Sequence, residues 1–351
     1  MRAAIQGWLA RWETVLAACV IALLIVASST TPGFTDGFNV ANSISIMSEK
    51  SLMILPLTLL IIGREIDISV ASIGGLSAVC AGIMLRDGHS VVIAVGVAVA
   101  VGLCCGALNG FCVTLLGLPS LVVTLGTLAL FRGLCYVLLG GTPVTVIPTS
   151  LIDFGNSNIS GTHVPMDIVP FLVLAPLFAI TLHRLPTGRR IYAIGGNPDT
   201  ARYSGVNQEK IKFGLFVVSG LACSIAGVIN IGRTSQASPD GLFGYELDAI
   251  TIVFLGGVSF LGGRGRMSGV VWALLLLIEL RSALQLHNVS AYAQGTAVGV
   301  LLIFSLLTSN LAREAANRLG TRKRRHAAHT HADPTLAPAG AAADTEIHRL
   351  P

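Results

Sequence analysis

Long apolar stretches with few charged residues recur along this chain, and they constrain its fold more than any other feature. Only 12% of the 351 residues are charged, whereas soluble domains carry roughly 25%. About 20 apolar residues cross the hydrocarbon core of a bilayer as a helix. The pattern therefore predicts an all-α, polytopic membrane protein.

The stretches predict about ten transmembrane helices. Their approximate bounds are 13–30, 48–63, 66–85, 90–108, 120–139, 166–183, 213–232, 249–262, 267–286 and 293–311. Pro56 interrupts the second stretch, and the eighth is short and glycine-rich, which indicates a broken or partial crossing. The uncharged run 88–131 is too long for one helix and is expected to turn near Gly117 and Pro119.

The placement of lysine and arginine predicts the orientation, because loops rich in these residues stay in the cytoplasm. Arg2 and Arg11 place the N-terminus there, and an even number of crossings returns the C-terminus to the same side. The basic 184–213 loop also falls in the cytoplasm. The 140–165 loop, which has no lysine or arginine, falls outside.

Three regions follow from this topology. They are a cytoplasmic N-terminus (1–12), a transmembrane domain (13–312) and a tail (313–351) rich in alanine, proline, threonine and histidine. The tail lacks apolar periodicity and is expected to be disordered in the cytoplasm. The first apolar stretch is interpreted as a retained helix rather than a cleaved signal peptide.

The 184–213 loop is a cationic, helix-forming insert between two apolar stretches. Its core is predicted to be a short polar helix, made of Asp199, Thr200, Ala201, Arg202, Tyr203, Ser204 and Gly205. Two interpretations stay open for the loop: docking to a soluble cytoplasmic partner, or an orientation signal only. None of the four lysines follows a glycine, so the chain has no GxxxxGK[ST] nucleotide loop. If transport uses ATP, another chain must hydrolyse it.

Metal, redox and enzymatic functions find little support in the sequence. The seven cysteines lie within apolar runs without a CxxC pair, as expected of small core residues. A serine hydrolase built on Ser259 and His287 is disfavoured, because the predicted topology puts them toward opposite membrane faces. The positive net charge is attributed to cytoplasmic arginines and not to nucleic acid binding.

Polar residues within apolar stretches are the candidates for a solute pathway. They are Asp67, Asn109, Thr124, Thr127 and Arg132. Neutral hydrogen-bonding groups suit an uncharged, hydroxyl-rich solute such as a sugar better than an ion. Alternatives remain open for each type. Asp67 would cap a helix, the threonines would bond their own helix backbone, and Arg132 would snorkel to the surface.

Two further observations bear on the membrane domain. Glu279 and Arg281 lie far along the ninth stretch, where a mutual or inter-helix ion pair is the favoured interpretation. The sequence Glu65-Ile-Asp67 before Gly74-Gly75 is echoed by Glu246-Leu-Asp248 before Gly256-Gly257. Because the predicted topology gives the two copies opposite directions, they indicate an inverted repeat, as is common in transporters.

Four stretches together resemble one protein family. They are GREIDISVASIGGLSAV at 63–79, NGFCVTLLGLPSLVVTLGTLALFRGL at 109–134, GRRIYAIGGNPDTARYSGVNQEKIK at 188–212 and GYELDAITIVFLGGVSFLGGRGRMSG at 244–269. They resemble the permease subunits of bacterial ABC sugar importers, in the ribose-type branch, which is related to branched-chain amino acid permeases. The resemblance covers roughly residues 40–310. It departs from the family at Arg64 and Glu65, where Gly-Gly is usual, and at Ala71, where glycine is usual.

The resemblance implies an ABC importer permease fold and the import of a monosaccharide across the plasma (inner) membrane. It implies three kinds of partner: cytoplasmic ABC ATPase subunits, a second permease copy or paralogue, and an extracytoplasmic sugar-binding protein. ATP would be used by the ATPase subunits, with no cofactor on this chain. Residues 199–205 would form the coupling helix seated in an ATPase groove. A branched-chain amino acid permease and a stand-alone ion-coupled sugar transporter remain as alternatives.

Overall fold

A computed structural model describes residues 12–303, and the described part is a bundle of α-helices. The helices are α1 (Trp12–Thr30), α2 (Gly37–Ile46), α3 (Ser48–Ile62), α4 (Val70–Arg86), α5 (Val91–Thr114), α6 (Ser120–Leu139), α7 (Thr149–Asn156), α8 (Val169–His183, preceded by the 3-10 turn Met166–Ile168), α9 (Pro186–Gly196), α10 (Pro198–Tyr203), α11 (Gln208–Thr234), α12 (Tyr245–Leu255), α13 (Met267–Leu286) and α14 (Ala291–Ile303). The predicted tail and almost all of the predicted N-terminal region lie outside the described residues.

The described helices include six that are long and apolar enough to cross a membrane. They are α1, α5, α6, Met166–His183, α11 and α13. The pair α2 and α3, bent by 44° at its break, is either a seventh, broken span or a re-entrant loop, while α4 and α14 are shorter apolar helices. These elements coincide with the predicted stretches, so the all-α, polytopic fold is confirmed. The last predicted stretch, 293–311, extends beyond the described part.

The eighth predicted crossing is a half-length helix. Instead of 249–262, α12 covers Tyr245–Leu255, only 11 residues. The glycine-rich residues 256–266 that follow form turns rather than helix. The predicted stretch begins at 249 and so leaves out Glu246 and Asp248, which lie in the first turn of α12. Acidic residues are favourable there because of the helix dipole.

Helix α3 is the centre of the bundle, and every one of its 15 residues is buried. From Leu52 onward the helix is apolar apart from Thr58, as expected of a helix that is buried on all sides. Nearby, α11 packs closely on α5. A side-chain carbon added to Gly220 would overlap the carbonyl of Gly102, so glycine is needed at this crossing. Small residues allow this close approach of helices in a membrane.

The two segments of the suggested repeat lie differently with respect to their helices. Asp67 precedes α4, and Gly74 and Gly75 lie inside that helix. In the second segment Asp248 lies inside α12, and the glycines follow its end. The two similar segments therefore occupy different positions relative to their helices, and the inverted repeat stays a prediction.

Candidate functional site

The predicted polar helix is present in the 184–213 loop as α10, Pro198–Tyr203. Proline fits the first helical position because its missing N–H has no partner there in any case. The side-chain oxygen of Asn197 accepts the N–H of Thr200 at 3.1 Å and so caps the helix. Gly205 follows with a φ of +78°, a conformation that glycine adopts without strain. The local sequence thus specifies both ends of this short helix.

The predicted coupling residues are exposed, with the exception of Ala201, which is buried. Tyr203 is 91% exposed, although tyrosine is a residue that usually buries much of its ring. An exposed aromatic side chain on a structured polar helix is typical of a surface that binds another protein. Residues 199–205 therefore form a continuous, available surface around one buried anchor.

Helix α10 is fastened to the start of α11. Arg202 donates to Glu209 at 2.7 Å, and the side chain of Gln208 donates to the carbonyl of Pro198 at 2.5 Å. Exposed ion pairs of this kind contribute only about 0–1 kcal/mol. These contacts orient α10 but contribute little to the stability of the fold.

The surface around α10 is cationic. Arg189 and Arg190 on α9 are exposed, as are Lys210 on α11 and Arg264 in the glycine-rich segment. Such a concentration of positive charge attracts acidic surfaces.

Three segments meet next to α10 in a contact that we call the junction: the end of α3 and the residues after it (62–65), the last turn of α9 (192–195) and the glycine-rich residues 262–265. The N–H of Gly263 donates to the carbonyl of Ile62 at 2.8 Å. The Tyr192 hydroxyl donates to the carbonyl of Gly265 at 2.6 Å, and burial raises the pKa of this phenol, which keeps it protonated. A side-chain carbon on Gly195 would overlap both Ile62 O and Gly263 N. The junction is thus built mainly from backbone atoms in close contact.

Two residues of the junction, Arg64 and Glu65, are among the three positions that depart from the pattern expected from the family resemblance. Arg64 has a φ of +68°, a conformation that strains any residue with a Cβ atom. Glu65, buried at 7% exposure, accepts a hydrogen bond from Lys212 at 2.5 Å. Its charge is therefore paired with the first turns of α11.

Asp67 and Asn109, two predicted pathway residues, meet at the start of α4. The Asp67 carboxylate accepts the N–H of Ser69 at 3.0 Å, its hydroxyl at 2.6 Å and the hydroxyl of Ser219 at 3.0 Å. Asn109 donates to the Ser69 hydroxyl at 2.8 Å. Asp67 is fully buried, and these bonds hold the backbone at the entry to α4. The side-chain oxygen of Asn109 is buried without a partner among the described residues.

Thr124 and Thr127 largely follow the alternative of backbone bonding. Thr124 donates to the carbonyl of Ser120 at 2.9 Å, within its own helix, and lies 3.2 Å from that of Ile66. Thr127 donates to the carbonyl of Thr124 at 3.4 Å. Thr124 therefore belongs with Asp67 and Asn109 around the 63–69 segment, and Thr127 lies one turn further along α6.

Arg132 lies apart from the Asp67 group and contacts the loop that precedes α12. Its guanidinium donates to the carbonyls of Pro239 at 2.7 Å and Gly241 at 2.8 Å. It also lies 5.6 Å from the ring centroid of Phe243. Arg132 therefore supplies hydrogen-bond partners to two backbone carbonyls of this irregular segment.

A second group of residues, which we call the charge cluster, surrounds the opposite end of α3. It consists of Glu49, Lys50, Arg233, Asp248 and Arg281. Glu49 pairs with Arg233 at 2.7 Å. Asp248 pairs with Lys50 at 3.1 Å and with Arg281 at 2.6 Å. One carboxylate therefore links α12 to both α3 and α13.

Tyr245 and Asn230 complete the surroundings of the cluster. The Lys50 ammonium lies 4.0 Å from the centre of the Tyr245 ring, a cation–π distance. Asn230 donates to Glu49 at 3.1 Å. The inter-helix pair expected for Arg281 is therefore observed with Asp248. Glu279 takes no part in it, and one of its carboxylate oxygens is buried without a partner among the described residues.

The junction and most of the charge cluster are absent from the sequence-based set of functional residues. Their members lie far apart in sequence, so no local spacing identifies the pairs. Two signals were available: charged residues inside apolar stretches, and adjacent glycines at Gly195–Gly196 and Gly262–Gly263. Either signal marks a residue but not its partner.

Comparison with known proteins gives a consistent result. Residues 38–306 match the family described as "Branched-chain amino acid transport system / permease component". The chain is 34% identical over 309 residues to the ribose import permease protein of Escherichia coli (strain K12), which covers 87% of this chain and 95% of that protein.

Two further relatives give similar values. Identity is 32% to the ribose import permease protein of Bacillus subtilis (strain 168), covering 81% of this chain and 88% of that protein. Identity is also 32% to the autoinducer 2 import system permease protein of Photorhabdus laumondii, covering 84% and 90%. No solved structure matches the chain.

Proposed function

The chain belongs to the family of transport-system permease components matched over residues 38–306, and on that basis we propose that it is the permease subunit of an ABC importer for a monosaccharide. It is a multi-pass inner-membrane protein and not an enzyme. The solute is ribose or a related sugar-like molecule. The observation that carries the proposal is the 34% identity to a ribose import permease protein along nearly the whole length of both chains.

Energy comes from separate subunits in this proposal. The chain has no GxxxxGK[ST] loop, and it binds no cofactor of its own, so ATP is bound and hydrolysed by ABC ATPase subunits. A second permease copy or a paralogue completes the membrane part. An extracytoplasmic binding protein delivers the sugar.

Residues 199–205 act as the coupling helix. The support is geometric: a capped helix, an exposed face with Tyr203 at its end, and a cationic surround. The α10 end of the bundle faces the cytoplasm, as do both termini. When the ATPase subunits close on ATP, their grooves carry this helix with them. The membrane domain then changes between the conformation that is open to the outside and the one that is open to the cytoplasm. Such coupling requires contacts that differ between the two states.

Asp67, Asn109, Thr124, Thr127 and Arg132 remain proposals for the solute pathway. In the described conformation their polar groups chiefly hold the backbone segments 63–69 and 239–243. The partnerless oxygen of Asn109 is the group among them that is best placed to accept a solute hydroxyl. A pathway along these residues requires a conformation in which the two segments separate.

The alternatives account for fewer observations. The family description names branched-chain amino acid transport, and a carboxylate substrate would favour a cation at its site. The guanidinium of Arg132, however, is occupied by two carbonyl groups. An ion-coupled transporter acting alone leaves the structured, exposed α10 without a role.

The proposal is tested by uptake into proteoliposomes. The complete importer, with ATPase and binding protein, is expected to accumulate radiolabelled ribose or a related pentose only when ATP is supplied. The chain alone, given a proton or sodium gradient, is expected to accumulate nothing. Accumulation by the chain alone would contradict the proposal, and uptake of leucine in place of sugars would favour the amino acid alternative.

The coupling role is tested by Tyr203→Ser, with Tyr292→Ser as a matched control, because both side chains are 91% exposed. Neither change is expected to destabilise the fold. Tyr203→Ser should reduce co-purification of the ATPase subunits and uptake, whereas Tyr292→Ser should leave both unchanged. Replacement of Arg202 and Gly205 should act in the same direction. Unchanged uptake and unchanged complex recovery in the Tyr203 variant would exclude the coupling role.

A further inference from the structure

The two ends of α3 contact the junction and the charge cluster, which are held together by different kinds of contact. The carbonyl of Ile62, its last residue, lies in the junction next to α10. Glu49 and Lys50, one and two residues after its start, belong to the charge cluster. At 1.5 Å per residue the 15-residue helix is about 22 Å long. A single buried helix therefore connects the coupling surface with the far side of the bundle.

The contact at the junction is of a kind that transmits displacement well. Gly195, near the end of α9, approaches the backbone of Ile62 and Gly263 so closely that a methyl group would not fit. The hydrogen bond from Gly263 to Ile62 joins the third segment to the same point. Long side chains bend and change rotamer, whereas backbone atoms in direct contact do not. A movement of α9 and α10 therefore displaces α3 by nearly the same distance.

The contact at the other end consists of two buried ion pairs. Glu49 binds Arg233 on α11, and Lys50 binds Asp248 on α12. The N···O distances are 2.7 and 3.1 Å, and all four side chains are at least four-fifths buried. A shift of α3 by one or two ångströms, as is seen for helices in switching proteins, would break pairs of this length. Buried charges strongly favour the paired arrangement, because an unpaired charge is costly inside the bundle.

We propose that Gly195 is a positioning residue that makes the coupling helix and α3 move as one body, so that displacement of α10 is delivered along α3 to the charge cluster. The inference rests on the proposed function, because it presupposes an ATPase that moves α10. It adds the route by which that motion reaches the opposite side. The loop from 62 to 65 and the glycine-rich segment move with α9 in this scheme, since all three share the junction.

Adjacent glycines provide a matched pair of variants. A Cβ atom at Gly195 would overlap the backbone of Ile62 and Gly263, whereas a Cβ atom at Gly196 meets nothing within 4 Å. Both residues end the same helix, α9, and neither has a positive φ. Gly195→Ala should therefore displace the junction, while Gly196→Ala should change only the local helix propensity.

The measurement is sugar uptake and ATP hydrolysis by the complete importer in proteoliposomes. For Gly195→Ala we expect ATPase subunits to co-purify and hydrolyse ATP, while sugar transported per ATP falls about ten-fold, within the range typical of coupling between sites. Gly196→Ala should stay within about two-fold of wild type, as most surface substitutions do. Equal coupling ratios in the two variants would overturn the inference. Failure of the wild-type importer to take up sugar would instead refute the proposed function.

A distance measurement serves if Gly195→Ala does not fold. Spin labels are placed at the exposed positions Asp199, Arg64 and Leu116, after the exposed Cys19 and Cys104 have been replaced by serine. Between the nucleotide-free and ATP-bound importer, the 199–64 distance should stay constant and the 199–116 distance should change. If the 199–64 distance changes as much as the 199–116 distance, or if neither changes, the one-body movement is refuted.

Discussion

The junction and the charge cluster lie at opposite ends of the same helix and are held together by opposite means. In the junction the closest contacts join backbone atoms, and the position of Gly195 leaves no room for one more carbon. In the cluster the partners are long, ionised side chains, with Asp248 shared between Lys50 and Arg281. The junction depends on volume, and the cluster depends on charge.

The difference teaches how each region responds to change. A buried ion pair is tolerated in the fold only while both partners are present, because removal of one partner leaves the other charge unpaired in a medium of low polarity. Close backbone packing is insensitive to charge but intolerant of added atoms. Substitutions that conserve shape and remove charge should therefore destabilise the charge cluster more than the junction.

Asp248→Asn should have the largest effect. It leaves Lys50 and Arg281 without their carboxylate, and loss of one partner of a buried pair costs about 3–5 kcal/mol. The free energy of unfolding, or Tm in a mild detergent, measures the effect. Asp87→Asn is the control, since it removes an exposed pair with Arg86 whose side chains are 50% and 46% exposed and should cost about 0–1 kcal/mol. Equal losses would show that the cluster is not a buried ionic unit.

Lys50→Met should be less harmful than Asp248→Asn. Methionine has a similar length, and Asp248 keeps its pair with Arg281, so that no carboxylate is left alone. We expect a loss of about 2 kcal/mol, the scale of one hydrogen bond to a charged group. The same Tm measurement applies. A loss as large as that of Asp248→Asn would mean that the contact with the Tyr245 ring matters more than the ion pair.

Glu65→Gln tests the ionic contact that belongs to the junction. Its partner Lys212 retains 20% side-chain exposure, so the unpaired ammonium can still reach water, and the loss should be about 1 kcal/mol. Lys212→Met with Glu65→Gln should cost no more than either change alone. Additive losses in this double-mutant cycle would show that the two side chains do not interact.

Arg64→Gly should have the smallest effect, and it should be stabilising. A residue with a Cβ atom at a φ of +68° carries a strain of about 1 kcal/mol that glycine avoids. Arg64→Ala is the matched variant, because it removes the side chain and keeps the strain. A higher Tm for glycine than for alanine is expected. The reverse order would show that the backbone there is not strained.

Much of the fold was predictable because its signals are local. The apolar stretches gave the helices, Gly117 and Pro119 gave the turn between α5 and α6, and Asn197 and Pro198 mark the start of α10. Each of these features is determined within a few residues. The half-length of α12 is harder to predict, since carboxylates at its start interrupt the apolar pattern that marks a helix.

The arrangement of the candidate site was not predictable, because its contacts join distant parts of the chain. Glu49 binds a side chain 184 positions away, and Arg132 binds carbonyls 107 and 109 positions away. Periodicity shows which residues are buried but not which of them meet. The functional roles of residues 199–205 and of the pathway residues remain predictions.

Separation along the chain also sets an order of events during synthesis. Glu49 enters the membrane on an apolar helix long before Arg233 has been made. At a synthesis rate of about 5–20 residues per second, an interval of 184 residues lasts roughly 10–40 s. Throughout that delay the nascent helix carries an ionisable group that bare lipid accommodates poorly. It must therefore wait beside the insertion machinery, or near the headgroups, until the later helices arrive to receive it.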